Sequence, residues 1–260
     1  MEVHHHPHVE KKKFKEYFFE FLMIFLAVTL GFFAENVREY FVHKEKEKKY
    51  IQSFYEDLSS DEIQLPRLIK NINSEQVQPA DSLPLLFEKV NTKTPANKIY
   101  LFLYQMYWQQ GIQLYVTNRS FTAIQNTGEM RLIANKKISD SLIDYYKEVE
   151  LIGYLQQHLL GYKNKLKENI ELILNASDFR KTHNTYFKNL ENNLMPDNLF
   201  SPGEKLYLRS DDPDIINKIE IEIEDIKFMS LGFSSMIDNL KNKATRIKKM
   251  ISENYHIESK

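Results

Sequence analysis

The sequence predicts an all-α protein: one N-terminal transmembrane helix, then a helical bundle with long antiparallel, coiled-coil-like helices. Three observations carry that expectation. Only 7 Gly and 8 Pro occur in 260 residues, too few turn formers for an all-β chain of this length. Residues 17–34 form an apolar run whose only charge is Glu20. Near the C-terminus, Ile216, Ile219, Ile223, Ile226, Ser230, Phe233, Ile237, Leu240, Ala244, Ile247 and Ile251 recur in alternating steps of three and four, a sustained heptad seam. Apolar residues make up 42% and charged residues 27%, enough for one sizeable core. Cysteine is absent, which removes disulfides, thiol nucleophiles and thiolate metal sites.

The chain opens with a His/Lys-rich tail, residues 1–15. His4, His5, His6 and His8 fall within five positions and are the candidate metal-ligating residues, since clustered imidazoles bind soft divalent ions. Pro7 denies them a helical i, i+4 pairing, and no carboxylate completes a tetrahedral set there. A solvated tail is the competing expectation.

Residues 16–35, EYFFEFLMIFLAVTLGFFAE, read as a transmembrane anchor. Residues 17–34 would span about 27 Å as a helix, against roughly 30 Å of hydrocarbon. Their Phe, Leu, Ile and Val side chains, at roughly −0.4 kcal/mol each, outweigh one Glu near the end of the span. A cleavable signal is disfavoured because Phe32 and Ala34, with bulky aromatics around them, make a poor processing site. The lipid bilayer is therefore the expected partner of residues 17–34. Lys11, Lys12, Lys13 and Lys15 crowd the N-terminal edge, while Arg38, Lys44, Lys46, Lys48 and Lys49 follow the run; over fifteen residues the two sides nearly tie, and close to the run the N-terminal cluster is larger. The positive-inside rule then places the N-terminus in the cytoplasm and the C-terminal bulk outside it.

Residues 36–260 are expected to form the helical domain. A juxtamembrane helix over 36–70 carries alternating charges, with Glu45 and Lys49 in the favourable i, i+4 order, and Pro66 should break or kink it. Pro79, Pro84 and Pro95 mark loops between Asn71 and Ala96 around a short helix near Leu85 to Val90. Residues 97–117 are densely apolar, yet Gln105, Gln109, Gln110 and Gln113 argue against a second span, because an amide in hydrocarbon needs a partner. A buried aromatic helix is expected there. Its tyrosines and Trp108 suggest a rival function, a pocket beside residues 99–116 for a metal, a ligand or an enzyme substrate, although such stripes are more often core.

Ser120 is placed to N-cap a short helix that Gly128 ends. Thr127, Gly128, Leu132, Ile133, Leu142, Tyr145 and Tyr146, behind a Glu-containing anchor and a charged helix, resemble a family of single-pass bacterial membrane proteins with an all-helical domain of unknown function. The resemblance spans roughly the first 155 residues. It implies a bacterial inner-membrane location and supplies no activity.

A long helix is expected over 136–175, then an irregular connection with short helical pieces over 176–211 marked by Pro196, Pro202 and Gly203, then a long C-terminal helix over 213–254 started by Asp212 and Pro213. IEIEIEDI, residues 219–226, alternates like a strand, but helical phase continues on both sides of it. The seam Ile216–Ile251 must face something apolar. An antiparallel pairing with the 136–175 helix is the nearest solution, and a homo-oligomer or a protein partner is the rival.

The charge of −1 argues against nucleic acid as a partner, and Lys241, Lys243, Arg246, Lys248 and Lys249 fit a helix C-terminus complementing its dipole. No phosphate loop, nucleophile elbow or zinc helix occurs, and Glu253 with His256 is the one spacing that suits a di-iron ligand pair. No cofactor is implied. The expected function is a membrane-anchored helical interaction module, scaffold or sensor-like, without a catalytic site.

Overall fold

The computed structural model describes residues 14–108, 114–191, 200 and 203–257. Among them the regular structure is all helical, apart from one isolated bridge between Leu174 and Leu208. The chain divides into two compact units, residues 1–50 and 51–260.

In the first unit the described residues are helical throughout, as part of α1 (Phe14–Ile72). One long apolar helix near the N-terminus thus has the length and composition to cross a membrane, and none of its apolar window is buried. Thr29 donates its hydroxyl to the carbonyl of Phe25 at 2.8 Å, so the hydroxyl in the middle of the run is satisfied within the helix. Beyond the run, Arg38 donates to both carboxylate oxygens of Glu35, and Lys49 reaches Glu45 at 2.7 Å, the i, i+4 pair expected from the sequence.

The second unit begins inside α1, where Ile51, Phe54, Leu58, Leu65 and Ile72 are buried at helical spacing. Pro66 does not end this helix. It lies on the exposed face, and buried residues on both sides hold the path, which offsets the roughly 3 kcal/mol a proline costs inside a helix. A π-helix (Asn73–Val77) and α2 (Gln78–Phe87) follow where loops were expected. Pro79 sits in the first turn of α2, where its missing N–H costs nothing, and Pro79, Ala80, Leu83 and Phe87 are buried.

The aromatic helix α3 (Asn97–Trp108) is shorter than expected. Ile99, Tyr100, Leu101, Leu103, Tyr104, Gln105 and Met106 are buried, so most of its circumference is covered. The chain from residue 114 to Asn118 is not helical. Then come α4 (Arg119–Thr127) and a 3₁₀ turn (Glu129–Leu132). Asn118, not Ser120, precedes α4, and it makes no side-chain cap. Gly128 ends α4 at φ +67°, as its position suggested.

Helix α5 (Lys136–Ile173) starts from Asn135, whose side chain accepts the Ile138 N–H. The expected irregular connection holds a further helix, α6 (Ala176–Glu191). Asp178 is buried on it and accepts the Tyr207 N–H, while Phe179 and Tyr186 pack toward α3. No proline interrupts residues 176–191, and the helical piece there is longer than expected. Residues 204–209 are tied down on both sides: Asn97 bonds the carbonyl of Glu204 and the N–H of Leu206, and Arg209 donates its N–H to Ile173 at 2.8 Å.

Helix α7 (Pro213–Tyr255) is capped by Asp212, whose carboxylate accepts the N–H groups of Asp214 and Ile215, and it includes the alternating 219–226 stretch. Ten seam residues from Ile219 to Ile251 are buried inside the chain, and Ile216 at the seam's edge is half-buried. Helices α5 and α7 pack against one another. Asn135 bonds Asn254 at 3.0 Å, Glu148 pairs with Lys243, and Asn169 bonds Glu222 at 2.6 Å. The seam residues are thus buried within a single chain.

Candidate functional site: a buried carboxylate pair

His4, His5, His6 and His8 lie outside the described residues. His183 shares a 3.0 Å hydrogen bond with the hydroxyl of Tyr104, and His158 packs edge-on to Tyr154 at 4.9 Å. Among the described residues no group of three His, Asp or Glu side chains converges as metal ligands, and Glu253 and His256 are both exposed.

The aromatic helix contributes to core packing. Tyr104 packs against Tyr186 at 4.9 Å and Phe179 at 5.8 Å, with Leu101 buried in the same cluster. Tyr100 donates to the carbonyl of Tyr207 and accepts the N–H of Asn175, and burial pushes its phenol up to about 12. Burial likewise raises Tyr186 to about 12, so these rings are neutral structural groups across the physiological range.

The basic end of α7 forms a groove with the start of α5. Lys137, Lys243, Arg246 and Lys249 line it together with Asp144 and Glu253. Lys243 is held by Glu148, and Lys249 lies 3.9 Å from Glu253. The positive charge there is largely answered by the chain's own carboxylates.

The most unusual chemistry lies elsewhere, at Asp57 and Asp61 on α1. Both carboxylates are buried, at 4% and 0% exposure, one helical turn apart on a helix whose neighbouring core positions are Phe54, Leu58 and Leu65. Backbone and side-chain donors meet them, the Thr117 side chain at Asp61 among them. Thr117 gives its backbone N–H to Asp61 at 3.1 Å, Tyr145 its hydroxyl to Asp61 at 2.8 Å, and Ser120 its backbone N–H to Asp57 at 3.3 Å. The Ser120 position therefore matters through its main chain and not as a cap.

Tyr146 closes the site. Its ring stacks on Phe121 at 4.3 Å, lies 6.2 Å from Phe54, and its hydroxyl donates to the carbonyl of Thr117 at 3.2 Å. The Tyr145–Tyr146 pair thus serves two partners: one ring holds the carboxylate and the other holds the segment that the carboxylates grip.

Burial pushes Asp61 up to about 6, the bonds from Thr117 and Tyr145 pull it down, and the charge of Asp57 raises it again. Burial, with the nearby aspartates, also holds both tyrosine phenols well above their ordinary value. Removing two carboxylates from water costs several kcal/mol in each case unless donors replace the lost hydration. Here two backbone N–H groups, the Thr117 side chain and the Tyr145 phenol supply that replacement. With Asp61 fully enclosed, the arrangement offers proton uptake and positional control of residues 117–121, and it presents no carboxylate to a substrate.

The sequence held a signal for this site. Asp57 and Asp61 sit at i, i+4 in phase with Phe54, Leu58 and Leu65, so they occupy core-facing positions. That phase was masked by the surrounding charged residues of the same helix. The chain matches no family model, and no curated protein and no solved structure resembles it closely enough to suggest a relationship.

Proposed function

We propose that this chain is a single-pass, membrane-anchored helical interaction module, scaffold or sensor-like, of a bacterial inner membrane. Residues 17–34 insert in the bilayer, the N-terminus stays cytoplasmic, and the helical domain lies outside the cytoplasm. The observation that carries the reading is the complete exposure of the 18-residue apolar window in the first unit. Phe19, Phe21, Met23, Ile24, Phe32 and Phe33 all face outward there. A patch of this size in water exceeds the few hundred Å² that a soluble monomer ordinarily exposes. Lipid tails cover it without any other partner.

Helices α5 and α7 pair as an antiparallel, coiled-coil-like hairpin in this reading. The order of their bonds supports it, since contacts advance along α5 from Asn135 through Glu148 to Asn169 while retreating along α7 from Asn254 through Lys243 to Glu222. A homo-oligomer or partner that used the seam Ile216–Ile251 would have to displace α5, so interaction falls to the outer surfaces of the hairpin. Phe228, 77% exposed, is the most prominent apolar residue on α7.

The full-length protein should stay with the membrane pellet through an alkaline carbonate wash, and release into the supernatant would refute the anchor. Sidedness is read from an Asn239→Cys variant, clean because native cysteine is absent. Labelling in intact cells by an impermeant maleimide is expected, and protection until the membrane is opened would reverse the orientation.

A further inference from the structure

We propose that the outer face of the α5–α7 hairpin docks a second copy of this chain, with α5 of each copy lying over α7 of the other. The inference rests on the hairpin pairing proposed above and not on the anchor, because every group it uses lies in the second unit.

The face belongs to two helices whose opposite sides are buried. Leu159, Leu166 and Ile170 of α5 and Ile219, Ile223 and Ile226 of α7 are core residues. Gly161, Lys165 and Leu172 on α5, and Ile221, Asp225 and Phe228 on α7, fall in the opposite helical phase and are exposed. Leu172, Ile221 and Phe228 expose 49%, 57% and 77% of their surface, so the face carries apolar side chains without cover. Gly161 has nothing within 4 Å of the position a Cβ would take, which leaves a notch in that face.

The register of the hairpin makes the face complementary to itself. Glu148 pairs with Lys243 and Asn169 bonds Glu222, so each step forward on α5 is matched by a step back on α7. On that register Phe228 stands level with the stretch between Gly161 and Lys165, and Asp225 stands level with Lys165. Ile221 lies two residues, about 3 Å, from the level of Leu172. A two-fold axis running along the hairpin keeps every level and exchanges the two helices. It sets Phe228 of one copy over the Gly161 notch of the other, Lys165 against Asp225, and Leu172 against Ile221, with each contact made twice.

Charge favours a second copy as the occupant. Lys165 and Asp225 are exposed and form no ion pair among the described residues, and Lys165 rests 5.8 Å above the ring of Tyr162. Beside them Glu224 is taken by Lys227 at 3.3 Å, and Lys167 lies 4.0 Å from Glu171. Each copy thus presents one unmatched cation and one unmatched anion at the same level. A surface with the two signs exchanged answers both, and the two-fold mate carries that surface. The face is small beside the roughly 20–30 residues a side of a standard interface. The association is therefore weak, and the chain melts as a monomer at the low micromolar concentrations of an unfolding experiment.

Sedimentation equilibrium of the full-length protein in density-matched detergent micelles, over about a hundredfold range of concentration, tests the contact. A reversible monomer–dimer equilibrium is expected. Phe228→Ala and Gly161→Leu should each weaken it on the order of 10-fold, the first by removing the knob and the second by filling the notch. Asp225→Lys should weaken it too, and adding Lys165→Asp to that variant should restore it. Carbodiimide coupling of a mixture of light and isotopically heavy protein should join Lys165 of one chain to Asp225 of the other, and Glu148 to Lys243 within one chain. A monomer throughout the range leaves the face to a different protein and overturns the inference. So does an association that Phe228→Ala and Gly161→Leu leave intact, since it would then belong to the anchor or the micelle. Failure of the double charge exchange to restore association overturns the two-fold arrangement. Absence of the Glu148–Lys243 linkage would instead refute the hairpin, and with it the face.

Discussion

Single residues set the most demanding energetics in this chain, and Lys163 is a second case beside the aspartates. It occupies a position on α5 where the heptad pattern fails, and the structure buries it to 5% exposure. Burial lowers its ammonium to about 8, with the charge of Glu75 on the π-helix opposing that shift. The unfolded chain holds the proton up to about 10.4, so it binds more protons than the folded chain between these values. Stability should therefore rise as pH increases from 8 toward 10, by about 2–3 kcal/mol from this group. Urea titrations of the native protein and of Lys163→Met at pH 7.5 and pH 10 isolate it: the native protein should gain on the variant with rising pH. A constant difference would show that Lys163 is solvated. The helical phase marks Asp57 and Asp61 as core-facing, but a charged residue in a helical pattern is assigned to the solvated face by default, and Lys163 is passed over in the same way.

At the scale of elements, the backbone rules transferred well where a local conformation was required and poorly where packing decided. Gly128 stands at φ +67° with nothing within 4 Å of the position a Cβ would take, so its requirement is conformational and not steric. Gly128→Ala should cost about 1 kcal/mol. Gly161 in α5 and Gly232 in α7 have equally open surroundings but lie in helix interiors with ordinary φ. Alanine at either should stabilise by about 0.5–1 kcal/mol. Thermal unfolding of the three variants should show these opposite signs, and a loss at Gly161 or Gly232 would reveal a close contact on that outer face. The prolines taught the converse lesson. Pro66 and Pro84 lie inside helices because the apolar residues around them are buried, so a local breaker was overruled by tertiary contacts. In α6 a polar sequence became helical by docking Phe179 and Tyr186 against α3, which nothing within residues 176–191 announces.

At the scale of the whole molecule, the seam distinguishes a chain that completes its own core from one that needs a second copy. Ile237 is buried at 1% exposure within a single chain, while Phe228 on the same helix points outward. Ile237→Ala should cost about 2–5 kcal/mol, with a melting temperature that does not depend on protein concentration. Phe228→Ala should leave stability within about 0.5 kcal/mol. Concentration dependence of the Ile237→Ala transition would instead place the seam at an interface between copies. The sequence by itself determined the helical class, the apolar N-terminal run, the cap at Asp212 and the phase of the α7 seam. Each of these depends on composition or on residues within a few positions of one another. Tertiary structure alone decided that the seam is buried within one chain, that residues 176–191 form one continuous helix, and that Asp57 and Asp61 are enclosed against Thr117, Ser120 and Tyr145. The physical reason is that burial belongs to the partner as much as to the residue. A carboxylate separated from its donors by 56, 63 and 84 positions carries no local mark of what will cover it.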